Sequence, residues 1–538
     1  MSVAAKTADA KAPLAAPHSN LVAQQMNFSW HVRLVLALAS GALLALAFPN
    51  YNLPLLAWVA VSMLILASYG ARPAVASLYG FAHGMVFFPM CLPWMATVMQ
   101  QYGNVNPLLS VGILGLVGIT GGILVAIFSW GVAFVGRKGA FAACLAAPFL
   151  WVAVEFLRGH LPIFAFPWNL VGYAASDSLA FLQVTTITGI WGLSFLIAAF
   201  NALLAYAILS GRHRAWKAAI ASAAALILIG VGGSYFVPRA EPHHVAHLVQ
   251  TNFPQYEQYP PNWDATHVND LNQLAQIGID AAKRDPGVII WPEAPAPLSL
   301  QDPFFAQRAT AMAQEAGVPV LLGVEDWKKT AAGKWYATNS AVLLGATGQR
   351  MFTYDKIHLV PFGEYVPLRN LLTFAGKIIA DIGDFTPGKS YAVGELPGTG
   401  SRDNKFSTFI CFEAIFPDAV RRFTDEGADL LINISNDGWF GRSAAPAQHV
   451  MMARVRAVEN RRWLLRDTNN GFTVDVDPYG RIVAQLATDI RGELDAPYDF
   501  RSGRTLYVIF GDWLPWLCVL ASLMFLVWRI AVRARSAQ

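Results

Sequence analysis

The chain has 538 residues, 55% of them hydrophobic and only 14% charged, where an ordinary soluble protein carries roughly 25% charged residues. That composition excludes a disordered chain and a simple soluble one. Residues 239–504 hold 31 of the 35 acids and 26 of the 39 bases, so a net acidic middle lies between net basic flanks, and the formal charge of +4 gives no argument for a nucleic-acid partner.

Residues 1–31, rich in Ala, Ser, Pro and Gln, read as a mobile tail, because the first apolar run begins too far in for a signal peptide and no convincing cleavage site follows. A helix crossing a hydrocarbon core needs about 20 apolar residues, since unpaired backbone groups find no solvent there. Runs of about that length lie at 32–48, 53–70, 73–99, 107–136, 139–157, 178–210, 216–238 and 505–530, which predicts a membrane domain over 32–238 with seven spans and a final span over 505–530. The first two are the shortest for the task. Lys and Arg of short loops are retained in the cytoplasm. Arg72, Arg137, Lys138, Arg212, Arg214 and Lys217 mark the inner loops and Arg158 alone an outer one, so both termini, including the 531–538 tail, are expected inside and residues 239–504 outside.

The segment 239–504 is long enough for one α/β domain with its own core. Short apolar runs predict strands over His247–Gln250, Val288–Trp291, Val318–Val324, Ser340–Leu344, Phe406–Phe412, Leu430–Ile434 and Phe472–Val476. Polar stretches of helical period lie over Asp264–Lys283, Phe304–Ala316, Asp418–Glu426 and Ala447–Arg462. The turns GATGQ (345–349) and DPYGR (477–481) mark hairpins, so the sheets are expected to mix parallel and antiparallel pairs.

Of Cys91, Cys144, Cys411 and Cys518, only Cys411 lies in this domain, which excludes a disulfide framework there. Alone it reads as a buried structural thiol at the end of the run KFSTFICFEAIFP (405–417). A thiol that attacks a carbonyl needs a base, a donor for the oxyanion and groups that orient both. Two other strand ends offer them: Glu293 in VIIWPEAP (288–295) and Lys356 in YDKIHLVPFGEYVP (354–367). As isolated residues these read as a loop acid and a surface lysine, whereas with Cys411 they form a candidate catalytic set.

A Glu after a strand, a Lys in KIHLVPFGEYVP and a Cys in ICFE followed by ISNDGWFG (434–441) resemble the nitrilase superfamily. Joined to about eight spans, and with LVQTNFPQ (248–255) and FAFPWNLVGY (164–173), the chain is similar to the apolipoprotein N-acyltransferase family. The resemblance implies an outward-facing αββα sandwich in the periplasm, carried by a multi-pass protein of the bacterial inner membrane. It implies Glu293 as general base, Lys356 at the oxyanion and Cys411 as nucleophile. The implied reaction is ping-pong: the sn-1 acyl chain of a phospholipid such as phosphatidylethanolamine passes through a Cys411 thioester to the α-amine of the N-terminal S-diacylglyceryl-cysteine of an apolipoprotein.

Glu364, eight positions after Lys356, resembles the family's second Glu, expected to keep the ammonium charged and oriented. Glu413 shares the Cys411 motif. Phe412 stands where related proteins often carry Tyr, so a hydroxyl role is in doubt there, while its backbone N–H remains a candidate oxyanion donor. Trp263 in QYPPNWD (258–264) resembles a lid tryptophan and equally suits a core. His83 and Glu155 within the spans read as packing or interface groups, and the arginines of 447–462 as scaffold. No HExxH, CxxC pair or phosphate-cradling glycine motif is present, the doublet His243–His244 reads as a strand start, and neither metal nor cofactor is expected. A monomer is expected. Two other readings stay open: a membrane-tethered amidase or nitrilase using the same residues with water as acceptor, and a non-enzymatic transporter or binding protein, for which Cys411→Ala would keep function.

Overall fold

The computed structural model describes residues 28–162, 164–255, 262–367, 384–397 and 404–535; most of the expected N-terminal tail and residues 536–538 lie outside them. Among the described residues six helices are long and apolar enough to cross a membrane: Pro73–Cys91, Pro107–Gly136, Ala140–Gly159, Ile190–Ser210, His213–Phe236 and Trp513–Val532. The first two expected spans form shorter apolar helices, Trp30–Leu46 and Pro54–Ser68. Three expected runs are broken. The run 73–99 ends one helix at Cys91 and starts another at Pro93, whose ring nitrogen cannot continue the hydrogen-bond ladder. The run 178–210 begins with the short helices Leu179–Leu182 and Thr185–Thr188, and turns at Gly189 (φ 62°) into the long helix. The run 505–530 turns at Gly511 (φ 59°). Close contact between Pro73–Cys91 and Pro107–Gly136 depends on glycine, since a Cβ on Gly84 would lie 2.4 Å from the Cα of Gly122.

Among the described residues of 244–498, the strands form two six-stranded sheets. The strands are β1 His244–Gln250, β2 Val288–Ile290, β3 Val320–Lys329, β4 Trp335–Leu344, β5 Arg350–Asp355, β6 Gly394–Glu395, β7 Lys405–Ile410, β8 Leu430–Ser435, β9 Leu464–Thr468, β10 Val474–Val476, β11 Ile482–Gln485 and β12 Gly492–Tyr498. Their order is β12-β1-β2-β3-β4-β5 in one sheet and β11-β10-β9-β8-β7-β6 in the other. Central pairs are parallel, and the GATGQ and DPYGR turns close antiparallel hairpins, as expected.

Alternation along each strand decides which layer a residue joins. On β4, Ala341 and Leu343 pack with the second sheet's Phe409, Ile432 and Leu465, while Val342 and Leu344 face the helices Trp263–Arg284 and Pro303–Ala316. The first of these helices buries Leu271, Leu274, Ala275, Gly278, Ile279 and Ala282, a stripe at helical spacing that covers the sheet. The second starts on Asp302, whose carboxylate accepts from the N–H groups of Phe304 and Phe305, and stops at the left-handed Gly317. Pro417–Asp425 and Ala445–Asn460 cover the second sheet, completing an αββα sandwich. Strands β5, β6, β9, β11 and β12 lie outside the predicted apolar runs, although the expected hairpin turns imply β5 and β11. Strand β9 escapes an apolar-run search because Arg466 and Asp467, both fully buried, interrupt it.

The two halves share one core. Phe412, Ile415, Ala445, Met452 and Val455 of the sandwich pack in the same apolar cluster as the membrane helices. Gln448 fastens this junction: its Oε1 accepts from the indoles of Trp94 (3.2 Å) and Trp168 (2.7 Å), and its Nε2 donates to the carbonyls of Pro49 (2.7 Å) and Cys91 (3.0 Å). The arginines nearby are scaffold, as expected: Arg456 donates to the Tyr173 hydroxyl and Arg462 to the carbonyls of Ala428 and Gly503. Glu155 also serves packing, accepting from the Val171 N–H at 2.7 Å, and His83 bonds Ser40.

Candidate active site

Strand ends bring the candidate residues together. Glu293 follows β2, Lys356 follows β5 directly and Cys411 follows β7 directly. Gly323 on β3 makes room, since a Cβ there would lie 2.6 Å from the Cα of Glu293. Glu293 is 6% exposed, Lys356 1% and Cys411 8%. Cys411 has φ +48°, a left-handed turn that opens the short helix Cys411–Ile415.

The Lys356 ammonium donates to Glu293 Oε1 at 3.0 Å and Glu364 Oε1 at 2.8 Å. Asn339 on β4 bridges the same two acids, its Nδ2 donating 2.7 Å to each. Glu293 Oε2 accepts from the Asn436 N–H (2.9 Å), reaching across to the second sheet, and Glu364 Oε2 accepts from the Val360 N–H (2.8 Å). Burial alone would lower the Lys356 pKa, but Glu293 and then Glu364 outweigh it, so the lysine stays an ammonium well above its ordinary value. With two of its three N–H groups on carboxylates, one remains for a substrate.

Burial, then the neighbouring Glu293, push the Cys411 thiol up, against the opposing pull of Lys356. A thiol raised in this way rests protonated and needs a base before it can attack a carbonyl. Glu293, whose side chain accepts from Lys356, Asn339 and the Asn436 N–H, is the candidate base.

Both carboxylate oxygens of Glu413 are bound by the surrounding loops. Its Oε1 accepts from the Tyr354 hydroxyl (2.7 Å) and from the N–H groups of Ile357 (2.8 Å) and His358 (3.0 Å), and its Oε2 accepts from Ile410 N–H (2.8 Å). It locks the Lys356 loop to the Cys411 turn. The Phe412 side chain packs toward the membrane half, with Phe166 at 6.4 Å and Phe416 at 5.3 Å. Trp263 is buried, stacked on His267 at 4.5 Å and edge-on to Phe253 at 5.2 Å. Residues 256–261 before it lie outside the described residues.

Asn339, Gln448, His449 and Asp437 were not singled out from sequence, although Asp437 lies within ISNDGWFG. His449 donates from Nε2 to the Cys411 carbonyl at 3.0 Å. Elsewhere, His247, Glu493 and Asp495 cluster on β1 and β12, where Arg284 supplies the positive charge. A cavity of about 1000 Å³ between His213–Phe236 and the rest of the bundle, lined by Trp58, Phe181 and Phe200 among others, holds none of the three candidate residues.

Residues 40–203 match the apolipoprotein N-acyltransferase N-terminal domain, and residues 249–504 the carbon-nitrogen hydrolase domain. An apolipoprotein N-acyltransferase of Geobacter metallireducens is 35% identical, with 90% of this chain and 93% of that protein covered. One of Methylococcus capsulatus is 34% identical, with 89% and 93% covered. An amidase structure from Nesterenkonia sp. matches 49% of this chain and 93% of its own at 19% identity and a TM-score of 0.35.

Proposed function

The chain belongs to the apolipoprotein N-acyltransferase family, and on that premise we propose that it moves the sn-1 acyl chain of a phospholipid onto the N-terminal amine of a diacylglyceryl-cysteine lipoprotein. Cys411 Sγ attacks the ester carbonyl while Glu293 takes the thiol proton. Lys356 and the Phe412 N–H receive the oxyanion. As the C–O bond breaks, Glu293 returns its proton to the glyceryl oxygen, so a lysophospholipid leaves and a thioester remains. The α-amine then attacks that thioester, Glu293 takes the amine proton and passes it to the departing Cys411 sulfur, and an amide is formed. Ester, thioester and amide are exchanged without an outside energy source, so no cofactor enters.

One observation carries this reading over a simple hydrolase: the turn that begins with the nucleophile packs Phe412 and Ile415 into the membrane half's own core. A lipid ester is at hand there and bulk water is not. Phosphatidylethanolamine is the proposed donor. The proposed boundaries are a 1–31 cytoplasmic tail, seven spans within 32–238, a periplasmic catalytic domain over 239–504, a last span over 505–530 and a cytoplasmic 531–538 tail, in a monomer of the bacterial inner membrane. Glu364 orients Lys356 and Glu413 braces the loops, while Trp263, the lid candidate, is packed on Phe253 and His267.

The test is product analysis on purified enzyme given phosphatidylethanolamine and a diacylated lipopeptide. N-acylated lipopeptide and lysophospholipid in equal amounts support the reading. Free fatty acid with unmodified lipopeptide supports the hydrolase, and unchanged N-acylation by Cys411→Ala contradicts the nucleophile.

A further inference from the structure

The carbonyl of Cys411 is gripped by a side chain that the proposed chemistry leaves idle. His449, fully buried on the helix Ala445–Asn460, sets Nε2 3.0 Å from that oxygen. A carbonyl oxygen only accepts, so Nε2 carries the proton. The ring's other nitrogen lies 3.0 Å from Asp437 Oδ1 and 3.1 Å from Arg466 Nη2. Asp437 is itself held, accepting from the Ser435 hydroxyl and from Arg466, both at 2.8 Å. Trp168 stacks on the imidazole at 5.7 Å and Phe440 meets it edge-on at 6.1 Å. Gln448, the next residue, ties the same turn of helix to the membrane half. The ring has no freedom to swing away. Burial, then the charge of Arg466, hold its pKa below the ordinary value, against the opposing pull of Asp437.

The Cys411 carbonyl and the Phe412 N–H belong to one planar peptide unit. Whatever fixes the carbonyl fixes the direction of the N–H. A hydrogen bond into the carbonyl also draws electron density across the conjugated C–N bond, and hydrogen bonds in series strengthen one another. Left-handed backbone at Cys411 is a conformation that a non-glycine residue holds only when its surroundings enforce it. We propose that His449 is a positioning residue for acyl transfer, which through the Cys411–Phe412 peptide aims the Phe412 N–H at the oxyanion and strengthens it as a donor. The inference rests on the reading of that N–H as an oxyanion donor.

The experiment uses full-length enzyme and phosphatidylethanolamine carrying ¹³C at the sn-1 acyl carbonyl, without amine acceptor. Single-turnover acylation, the phospholipid KM and the infrared band of the ¹³C thioester on Cys411 are recorded. His449→Phe keeps an aromatic ring and removes the donor. His449→Asn, whose shorter amide stops short of the carbonyl, is a second donor-free variant should the first fail to fold. His449→Gln has the reach to restore it.

The expected result in the donor-free variants is acylation slowed about 10- to 100-fold, KM within about twofold and a thioester band at higher frequency, with both rate and band moved back by His449→Gln. An unmoved band, whatever the rate does, overturns the proposal and leaves His449 a purely structural residue. A wild-type band equal to that of a thioester free in solution defeats the underlying oxyanion reading instead, and a wild type with no adduct defeats the thioester itself.

Discussion

Lys356 Nζ lies 3.0 Å from Glu293 Oε1 with almost no access to solvent, so the proposed base and the proposed oxyanion donor are one ion pair before substrate arrives. The pair is shared, because Glu364 takes a second ammonium hydrogen and Asn339 donates to both acids. The lysine's charge thus holds together two carboxylates that would otherwise repel.

Replacing Lys356 by Met preserves length and removes the charge. It leaves Glu293 and Glu364 buried against each other, and breaking a buried pair in this way costs about 3–5 kcal/mol. We expect a lower unfolding midpoint in detergent and loss of acylation together, with Glu364→Gln milder on both counts. A Lys356→Met enzyme of wild-type stability would contradict the buried pair.

Thiol reactivity gives a prediction of unusual sign. Because burial and then Glu293 raise the Cys411 pKa, alkylation by iodoacetamide in substrate-free enzyme should keep rising past the ordinary thiol value of about 8.5. Glu293→Gln removes one of the raising influences, so it should speed alkylation near neutral pH while abolishing acyl transfer. Slower alkylation in that variant would show that Glu293 activates the resting thiol.

Glu413 should matter through stability. Burial would raise its pKa, but hydrogen bonds from His358, the Ile410 N–H and Tyr354, with the His358 charge, outweigh that and lower it. A carboxylate lowered on folding stabilises fully above its unfolded value of about 4.3, and this contribution fades as pH falls through the folded value. Glu413→Gln is expected to cost about 2–4 kcal/mol at neutral pH. Its unfolding midpoint should also fall less steeply than the wild type's below about pH 5. Parallel pH profiles would contradict this.

Gln448→Leu tests the junction. It strands two indole N–H groups and two carbonyls in an apolar interior, at about 1–3 kcal/mol for each group left unpaired. We expect reduced thermal stability and slower acylation with the triad intact. Unchanged values for both would remove Gln448 from the account.

Much of this was legible in the sequence where chemistry and periodicity coincide. Glu293 and Cys411 stand at the ends of apolar runs, Lys356 stands in the motif YDKIHLVPFGEYVP, and the helix Trp263–Arg284 announces its buried stripe. What escaped depends on the partner rather than the residue. Arg466 breaks the apolar pattern of β9 because its charge is answered by Asp437, distant in sequence. Glu413 finds its donors mostly in backbone N–H groups, which side-chain reading does not register. Gln448 and His449 sit on a helix whose arginines suggested scaffold alone, and their partners lie in another half of the chain or across a turn. Helix ends differ from the apolar runs where Pro93, Gly189 and Gly511 interrupt stretches that composition alone joins.

The central claim is that Cys411 carries the acyl chain, and the most direct measurement is peptide mass spectrometry of enzyme incubated with phosphatidylethanolamine and no amine acceptor. The account predicts one acyl mass on the Cys411 peptide, absent in Cys411→Ala and in Glu293→Gln, that disappears when a diacylated lipopeptide is added and reappears on its amine. An unmodified Cys411 with phospholipid demonstrably bound, or an adduct that survives in Cys411→Ala, would contradict it.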